Sequence, residues 1–221
     1  MTVRHFELSS VIFFIMNIDT GKLQGQYVYL RLLQAEDVPA LRTLARDGRL
    51  WEYTKTLLIN DTFDEQFDKY IASAFNSDFN GLQTSFVIRD ATTENIMGMT
   101  RYYKMDLAQK RVSIGYTWYK PDYWGKVHNK ECKLLLLQYA FETLGMQRVE
   151  FEVAHQNLRS QKAVQKIGGV KEGVLRKHGL MADGTVRDTV VFSIIDDEWS
   201  QKKAALQTLV ENGALVEKTG K

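Results

Sequence analysis

The sequence predicts a mixed α+β fold, in which a single domain forms a mostly antiparallel central sheet flanked by helices. Segments rich in β-branched and aromatic residues alternate apolar and polar side chains, and polar turns of hairpin length join several of them, as in antiparallel sheets. Later in the chain a helical segment lies between two such strands, an order that favours a parallel pair or its splayed equivalent. With 221 residues, 44% of them hydrophobic and 25% charged, the chain is expected to bury a core.

The strands are predicted from period-two alternation and from residues that stop strand pairing. Pro121, for example, lacks the N–H group that a ladder requires and ends the segment before it. The predicted strands cover residues 27–33, 84–89, 96–103, 111–119, 148–154, 170–178 and 185–195.

The helices are predicted from apolar residues at helical spacing and from capping residues at the ends. Asn157 can cap one helix, which Gly168 and Gly169 end. The predicted helices cover residues 35–46, 63–75, 132–144, 158–167 and 199–216, with fraying expected after residue 212. In the central helix the expected core-facing residues are Leu134, Leu135, Leu137, Ala140, Phe141 and Leu144.

These elements define the expected domain organisation. We expect an N-terminal extension over residues 1–20, a single domain over 21–200 and a C-terminal helix or tail over 201–221. Residues 11–16 are apolar, but six residues are too few to span a membrane, and the features of a signal peptide are not visible. The first 15 residues are either an extension or an additional strand packed on the domain or on a partner.

Composition argues against several classes of protein and site. Lys and Arg number 29 and Asp and Glu number 27, so a net charge of +2 does not supply the clustered positive charge that nucleic-acid binding needs. Cys132 is the only cysteine, and the four histidines show no ligand spacing. We therefore expect a cytoplasmic protein with no internal disulfide, no metal, no nucleic-acid partner and no membrane partner.

The turn between the strand over 111–119 and the central helix is a candidate anion site. It runs from Trp124 to Lys130 and contains Gly125 and two lysines, Lys126 and Lys130. Backbone N–H groups at the start of a helix lack intrahelical acceptors and lie at the positive end of the helix dipole. Such a turn is suited to phosphate groups.

Three motifs carry a resemblance to a known family. They are G-Y-T-W-Y-K-P-D-Y-W-G-K over residues 115–126, N-K-E-C-K-L-L-L-L-Q-Y-A-F-E over 129–142 and N-L-R-S-Q-K-A-V-Q-K-I-G-G over 157–169. The chain resembles the GNAT acetyltransferase superfamily from about Tyr27 to Trp199, and within it the branch that includes the ribosomal-protein N-terminal acetyltransferases. The resemblance implies an N-acetyltransferase that uses acetyl-CoA as co-substrate and an amine as acceptor.

The same resemblance implies which residues hold CoA. The turn would bind the pyrophosphate, and the backbone of the preceding strand would pair with the pantetheine arm. The implied set is Trp118, Tyr119, Trp124, Gly125, Lys126, Val127, His128, Asn129, Lys130 and Asn157. The turn departs from the family's Q/R-x-x-G-x-G/A pattern, and Val127 also departs from the G-x-G-x-N version of this branch. Valine disfavours positive φ and could crowd a pyrophosphate, so weakened or reshaped binding is expected.

The catalytic residues are less defined by the motifs. In the family's N-x-x-S motif, the serine position corresponds to Ser160, which the resemblance makes a proton donor to the leaving thiolate. The general base stays open between several side chains and a water chain, with Glu150 taken as the first candidate. The other candidates are Glu131, Glu152, Tyr102, Tyr103 and His155.

The acceptor is expected to be a primary amine, first of all a protein N-terminus such as that of a ribosomal protein. A small amine (polyamine, amino sugar or antibiotic) is the alternative among enzymes, and a homologue that binds CoA without catalysis is the alternative outside them. An acidic cleft would favour polyamines, whereas a wide groove would favour a protein tail. A homodimer is compatible with the sequence, although no surface is implicated.

Overall fold

One sheet organises the molecule. The computed structural model describes residues 22–54, 56–76 and 82–219, and the expected extension over residues 1–20 lies outside these ranges. Within these ranges eight strands form the sheet, in the order β1-β2-β3-β4-β5-β6-β8-β7. They are β1 Leu23–Gln24, β2 Val28–Leu32, β3 Leu82–Asp90, β4 Ile96–Asp106, β5 Arg111–Tyr119, β6 Arg148–Ala154, β7 Val170–Leu180 and β8 Val186–Ile195. The mixed, mostly antiparallel sheet that the sequence predicts is confirmed.

Five α-helices flank the sheet within the described ranges. They are α1 Val38–Ala45, α2 Phe63–Phe75, α3 Val127–Gln138, α4 Leu158–Lys166 and α5 Asp196–Thr219. Helices α1 and α2 cover one face, where Phe63, Phe67 and Trp118 share a core. The other three helices contribute to the core on the opposite face, with Leu136 of α3 and Leu206 of α5. We call these faces the α2 face and the α3 face.

The pair β5–β6 differs from every other strand pair in the sheet. It is the parallel pair, and its register runs only from Arg111 opposite Arg148 to Ser113 opposite Glu150. The strands continue to Tyr119 and Ala154, so their second halves diverge. A gap therefore opens in the middle of the sheet at the carboxyl ends of the two strands, where sheets with crossover helices usually bind ligands.

Helix α3 begins earlier than the sequence predicts. Its first residue is Val127, with Lys126 in extended conformation as the N-cap, so the second half of the predicted turn is the first helical turn. A π-helical turn over Tyr139–Thr143 ends it. The predicted core-facing residues of this helix all lie in or against the core, although Leu134 and Leu135 are only half-buried. The prediction is incomplete, since Cys132 and Leu136 are fully buried as well. The reason is that α3 packs against both the sheet and α5.

Glu131 fastens the start of α3 to the first strands. Its carboxylate accepts three backbone N–H groups at 2.7 Å each, those of Gln26, Tyr27 and Val28. A Cβ on Gly25 would lie 2.5 Å from the Glu131 carboxyl carbon, so the chain passes this carboxylate as closely as glycine allows. Glu131, which the sequence offers as a candidate base, thus anchors β1 and β2 to α3.

The last helix is longer than expected. It starts at Asp196, ahead of the predicted residue 199, and continues to Thr219 without the fraying expected after residue 212. Leu206 is fully buried and Val210 is buried, so this helix belongs to the packing of the α3 face. No helix in the described part of the chain is long and apolar enough to cross a membrane.

Candidate functional site

The gap between β5 and β6 is a cleft of about 420 Å³. Its walls are the diverging strand ends, the start of α3 and the first turns of α4, and it reaches aromatic side chains of the α2 face. Six of the expected CoA-binding residues line it together with Ser160: Trp118, Tyr119, Trp124, Gly125, Asn129 and Asn157. The structure therefore brings together residues that lie up to 42 positions apart in the sequence.

A β-bulge shapes the β5 wall of this cleft. Met99 pairs with Trp118 and Arg101 pairs with Gly115, so Tyr116 and Thr117 together face Thr100. Tyr116 has φ +50°, a conformation that is costly for an aromatic residue. Bulges re-aim side chains and interrupt pairing next to functional sites, and this one lies where the strands diverge.

The turn after β5 combines an open glycine with a helix start. Gly125 has φ +75°, and a Cβ built on it would meet no heavy atom within 4 Å among the described residues. The glycine thus supplies a backbone conformation that other residues rarely adopt, beside the positive end of the α3 dipole. The cleft and this turn are suited to a group that carries phosphates.

The side chain of Val127 is directed away from the cleft. It is fully buried, and its Cβ and a γ-methyl would lie 3.6 Å from a Cβ on Gly213 of α5. Its backbone is that of a first helical residue. Val127 therefore does not need a positive φ, and its side chain does not lie over the turn. Neither of these effects weakens the anion site.

Three other residues of the expected set also place their side chains outside the cleft lining. The His128 ring is buried between Tyr27 and Tyr123, with centroid distances of 6.5 and 5.0 Å. Lys130 extends its Nζ towards Gly213 of α5, and Lys126 is exposed, with its Nζ 5.9 Å from the Tyr123 ring. These three side chains therefore do not form part of the cleft wall.

Arg159 is a cleft residue that the sequence reasoning missed. It lies in the first turn of α4, and its guanidinium carbon is 3.9 Å from the centroid of the Trp124 ring. The Trp124 indole in turn donates a hydrogen bond to the Tyr119 carbonyl, at 2.9 Å. The stack therefore places the positive charge of Arg159, a residue of α4, beside the turn at Trp124. Arg159 lies in the N-L-R-S motif, between the expected site residues Asn157 and Ser160. Its place in that motif is the feature of the sequence that could have indicated a role.

Asn157 and Ser160 hold the start of α4. The Asn157 side-chain oxygen accepts the Ser160 backbone N–H at 3.0 Å and caps the helix. Asn157 is buried, Ser160 is half-buried, and both line the cleft. The capping bond of Asn157 fixes the backbone of Ser160 at the cleft wall.

A polar cluster lies at the α2-face end of the cleft. It consists of Tyr103, Lys104, Glu152 and Arg187, all of which line the cleft. Lys104 Nζ is 2.6 Å from Glu152 Oε1, and Arg187 donates from Nε to the Thr189 hydroxyl at 3.1 Å. Burial raises the pKa of Tyr103 well above its usual value; the nearby Glu152 carboxylate raises it further, and Arg187 opposes that rise. The tyrosine hydroxyl therefore stays protonated and can act as a hydrogen-bond donor.

Glu150 lies two residues before Glu152 on the same strand but outside the cleft lining. Its carboxylate accepts from Arg148 Nε at 2.6 Å, and Arg148 also pairs with Glu172. Glu150 belongs to the half of β6 that still pairs with β5, so the expected base is held in an ion-pair network where the sheet is closed. Period-two alternation places Glu150 and Glu152 on one face, but it does not tell where the strands part.

The chain matches the family model described as an acetyltransferase (GNAT) domain over residues 28–170. Among known proteins, YdaF of Bacillus subtilis (strain 168), named as a candidate ribosomal N-acetyltransferase, is 27% identical over 185 residues, which cover 81% of this chain and 97% of YdaF.

Solved structures show the same fold. A GCN5-related N-acetyltransferase from Brucella melitensis superposes with a TM-score of 0.76 at 25% identity, covering 86% of this chain and 85% of that one. The spermidine N-acetyltransferase from Vibrio cholerae, solved with CoA and spermine, superposes with a TM-score of 0.63 at 19% identity, covering 80% of this chain and 99% of that one. Because the family model spans more than half of the chain, the protein belongs to the GNAT acetyltransferase family.

Proposed function

We propose that the protein transfers the acetyl group of acetyl-CoA to the N-terminal amine of a protein. The observation that carries the proposal is the cleft between β5 and β6, which joins a helix start at one end to the polar cluster at the other. A cofactor entering from the helix start and an amine entering from the polar cluster would meet between the diverging strands. Such positioning is the main requirement of acyl transfer.

The cofactor half of the site is built for a phosphate-bearing group with a long arm. The backbone from Gly125 to Asn129 would hold the phosphates, and the stacked Arg159 would add positive charge. The free edge of β5 at Trp118 and Tyr119 would pair with the arm. Ser160 would hold a proton near the departing thiolate. When bound, acetyl-CoA would supply the activated acetyl group.

The general base that the geometry favours is Glu152, not Glu150. Among the described residues, Glu152 is the one carboxylate that lines the cleft, and its side chain is 13% exposed. Its partner Lys104 is more exposed, at 43%, so an incoming ammonium group could replace Lys104 beside the carboxylate. An adjacent carboxylate can then accept the proton that the amine must lose before attack.

The charge of the cleft favours a protein N-terminus over a polyamine. Among the residues that the structure describes, the ionised ones in its lining are four cations, Lys104, Lys133, Arg159 and Arg187, against one carboxylate, Glu152. Such a cleft repels a polycation and tolerates a single ammonium on a longer chain. The burial of the Val127 side chain against α5 removes the reason, taken from the sequence, to expect weakened CoA binding at the turn.

The test is acetyl transfer from acetyl-CoA to a peptide with a free N-terminus. We expect acetylation of the free peptide, none of the same peptide with a blocked N-terminus, and slower reaction with spermidine. Glu152→Gln should lower kcat by about 100-fold or more, whereas Glu150→Gln should leave it near the wild-type value. Faster turnover of spermidine than of every peptide would reject the acceptor, and the reverse order of the two variants would reject the base.

A further inference from the structure

Lys133 is a buried lysine that lines the cleft. It lies within the motif over residues 129–142, but the family resemblance gives its side chain no role. It lies on the side of α3 facing the sheet and is 6% exposed. Its Nζ donates to the Thr117 hydroxyl at 2.7 Å, and the Thr117 and Thr100 hydroxyls are themselves 2.7 Å apart. Both threonines lie at the β-bulge of the cleft wall. The lysine thus brings its amine to the place where β5 leaves β6.

The surroundings of Lys133 offer little to balance its charge. Burial lowers its pKa to about 8, and within the described residues no carboxylate forms an ion pair with it. Burial also raises the pKa of Cys132 and Tyr119, so both stay neutral. Glu131, two residues before Lys133, directs its carboxylate to the backbone N–H groups of Gln26, Tyr27 and Val28, in the turn after β1 and at the start of β2.

A buried ammonium group that bonds to one hydroxyl destabilises the protein unless a ligand supplies further hydrogen-bond acceptors. The group has three donors, and the structure shows Thr117 accepting one of them. Burying a charge without sufficient partners is unfavourable by several kcal/mol. Since the amine is on the cleft wall, the missing acceptors can be provided by whatever fills the cleft.

The position along α3 indicates which part of a cofactor would reach Lys133. Lys133 is six residues beyond Val127, which corresponds to about 9 Å along the helix axis. Phosphates held at the helix start would therefore be about one and two-thirds turns away. The group beside Lys133 and Thr117 would be the arm that leads from the phosphates to the acyl group, whose polar acceptors are amide and thioester carbonyl oxygens.

We propose that the Lys133 ammonium binds a carbonyl oxygen of the acyl-pantetheine arm, with Thr117 and Thr100 holding the amine in place. The assignment rests on the proposed function, because it needs CoA in this cleft. It makes Lys133 a cofactor-binding residue that acts through its side chain, whereas the turn acts through its backbone.

The test is calorimetric titration of wild type, Lys133→Met and the control Lys171→Met, an exposed lysine of β7. The titrants are acetyl-CoA, CoA and ADP, which has the diphosphate without the arm. We expect Lys133→Met to bind acetyl-CoA about 10- to 100-fold more weakly, to bind ADP as wild type does, and to unfold at the same or a higher temperature. Lys171→Met should match wild type throughout.

CoA distinguishes the two carbonyl groups. If Lys133 binds an amide carbonyl, Lys133→Met weakens CoA and acetyl-CoA equally; if it binds the thioester carbonyl, only acetyl-CoA is weakened. Wild-type affinity of Lys133→Met for acetyl-CoA, or an equal loss for ADP, overturns the assignment. If wild type binds none of the three titrants, the proposed function itself fails and the assignment with it.

Discussion

Replacing Glu131 by glutamine tests whether one carboxylate joins the first strands to the central helix. The change keeps the shape of the side chain and removes one acceptor oxygen and the charge. In the structure, Oε2 accepts the N–H groups of Tyr27 and Val28, and Oε1 accepts that of Gln26. A glutamine has one oxygen to accept from these three N–H groups. Its NH₂ group, which is a donor, faces the N–H groups that the oxygen does not reach.

The magnitude follows from the number of donors that lose their acceptor. If the amide oxygen takes the position of Oε2, one N–H group is left without an acceptor; in the other orientation two are. Each buried donor without an acceptor costs about 1–3 kcal/mol. We therefore expect Glu131→Gln to lower the free energy of unfolding by about 2–5 kcal/mol, since the lost charge weakens the remaining bonds as well.

Urea unfolding followed by tryptophan fluorescence measures this difference. The matched control is Glu211→Gln, which makes the same change at an exposed position of α5 and should alter stability by less than about 0.5 kcal/mol. If Glu131→Gln unfolds within that margin of wild type, the three hydrogen bonds do not stabilise the fold as described.

Two further predictions concern the cations of the cleft. Arg159→Ala removes the guanidinium stacked 3.9 Å above Trp124, and we expect affinity for acetyl-CoA to fall about 10-fold in calorimetry, with unfolding free energy changed by less than about 1 kcal/mol; unchanged affinity would contradict this role. Lys133 has its pKa lowered from 10.5 to about 8, so between these values the unfolded chain binds the additional proton. The cost of burying the charged amine is present below pH 8 and disappears as the pH rises to 10.5. Over that window the free energy of unfolding of wild type should rise by up to about 3 kcal/mol relative to that of Lys133→Met, as measured by urea unfolding. Parallel stability curves for the two proteins would show that the amine is not desolvated.

Much of the fold could be predicted because local patterns and tertiary packing agree. The strands over 111–119 and 148–154 and the helix over 63–75 lie where alternation, spacing and capping placed them. The crossover through a helix also led correctly to a parallel pair of β5 and β6. In these elements the residues that the fold buries follow the regular spacing of a strand or a helix, so the sequence pattern alone identifies the element.

The details of the site depend on contacts that local patterns do not encode. The divergence of β5 from β6 after Ser113 separates Glu150 from Glu152, although alternation treats the two alike. The positive φ of Tyr116 results from the bulge, which tertiary pairing imposes on a residue that does not favour it. The burial of Lys133 follows from the packing of α3 between the sheet and α5. From the sequence alone, a lysine in a leucine-rich helix is expected to be exposed to solvent.

The measurement that tests the central claim most directly is calorimetric titration with acetyl-CoA of wild type, Gly125→Asp and Gly184→Asp. Both glycines have positive φ, +75° and +79°, and open space where a Cβ would lie among the described residues, so the two variants introduce similar strain and the same charge. Gly184 is in the turn between β7 and β8, whereas Gly125 lines the cleft.

We expect wild type and Gly184→Asp to bind acetyl-CoA with equal affinity and Gly125→Asp to lose binding, because its carboxylate would stand where we propose that the phosphates bind. Equal binding by all three proteins would contradict a phosphate site at this turn. Absence of binding by wild type would contradict the cofactor assignment altogether.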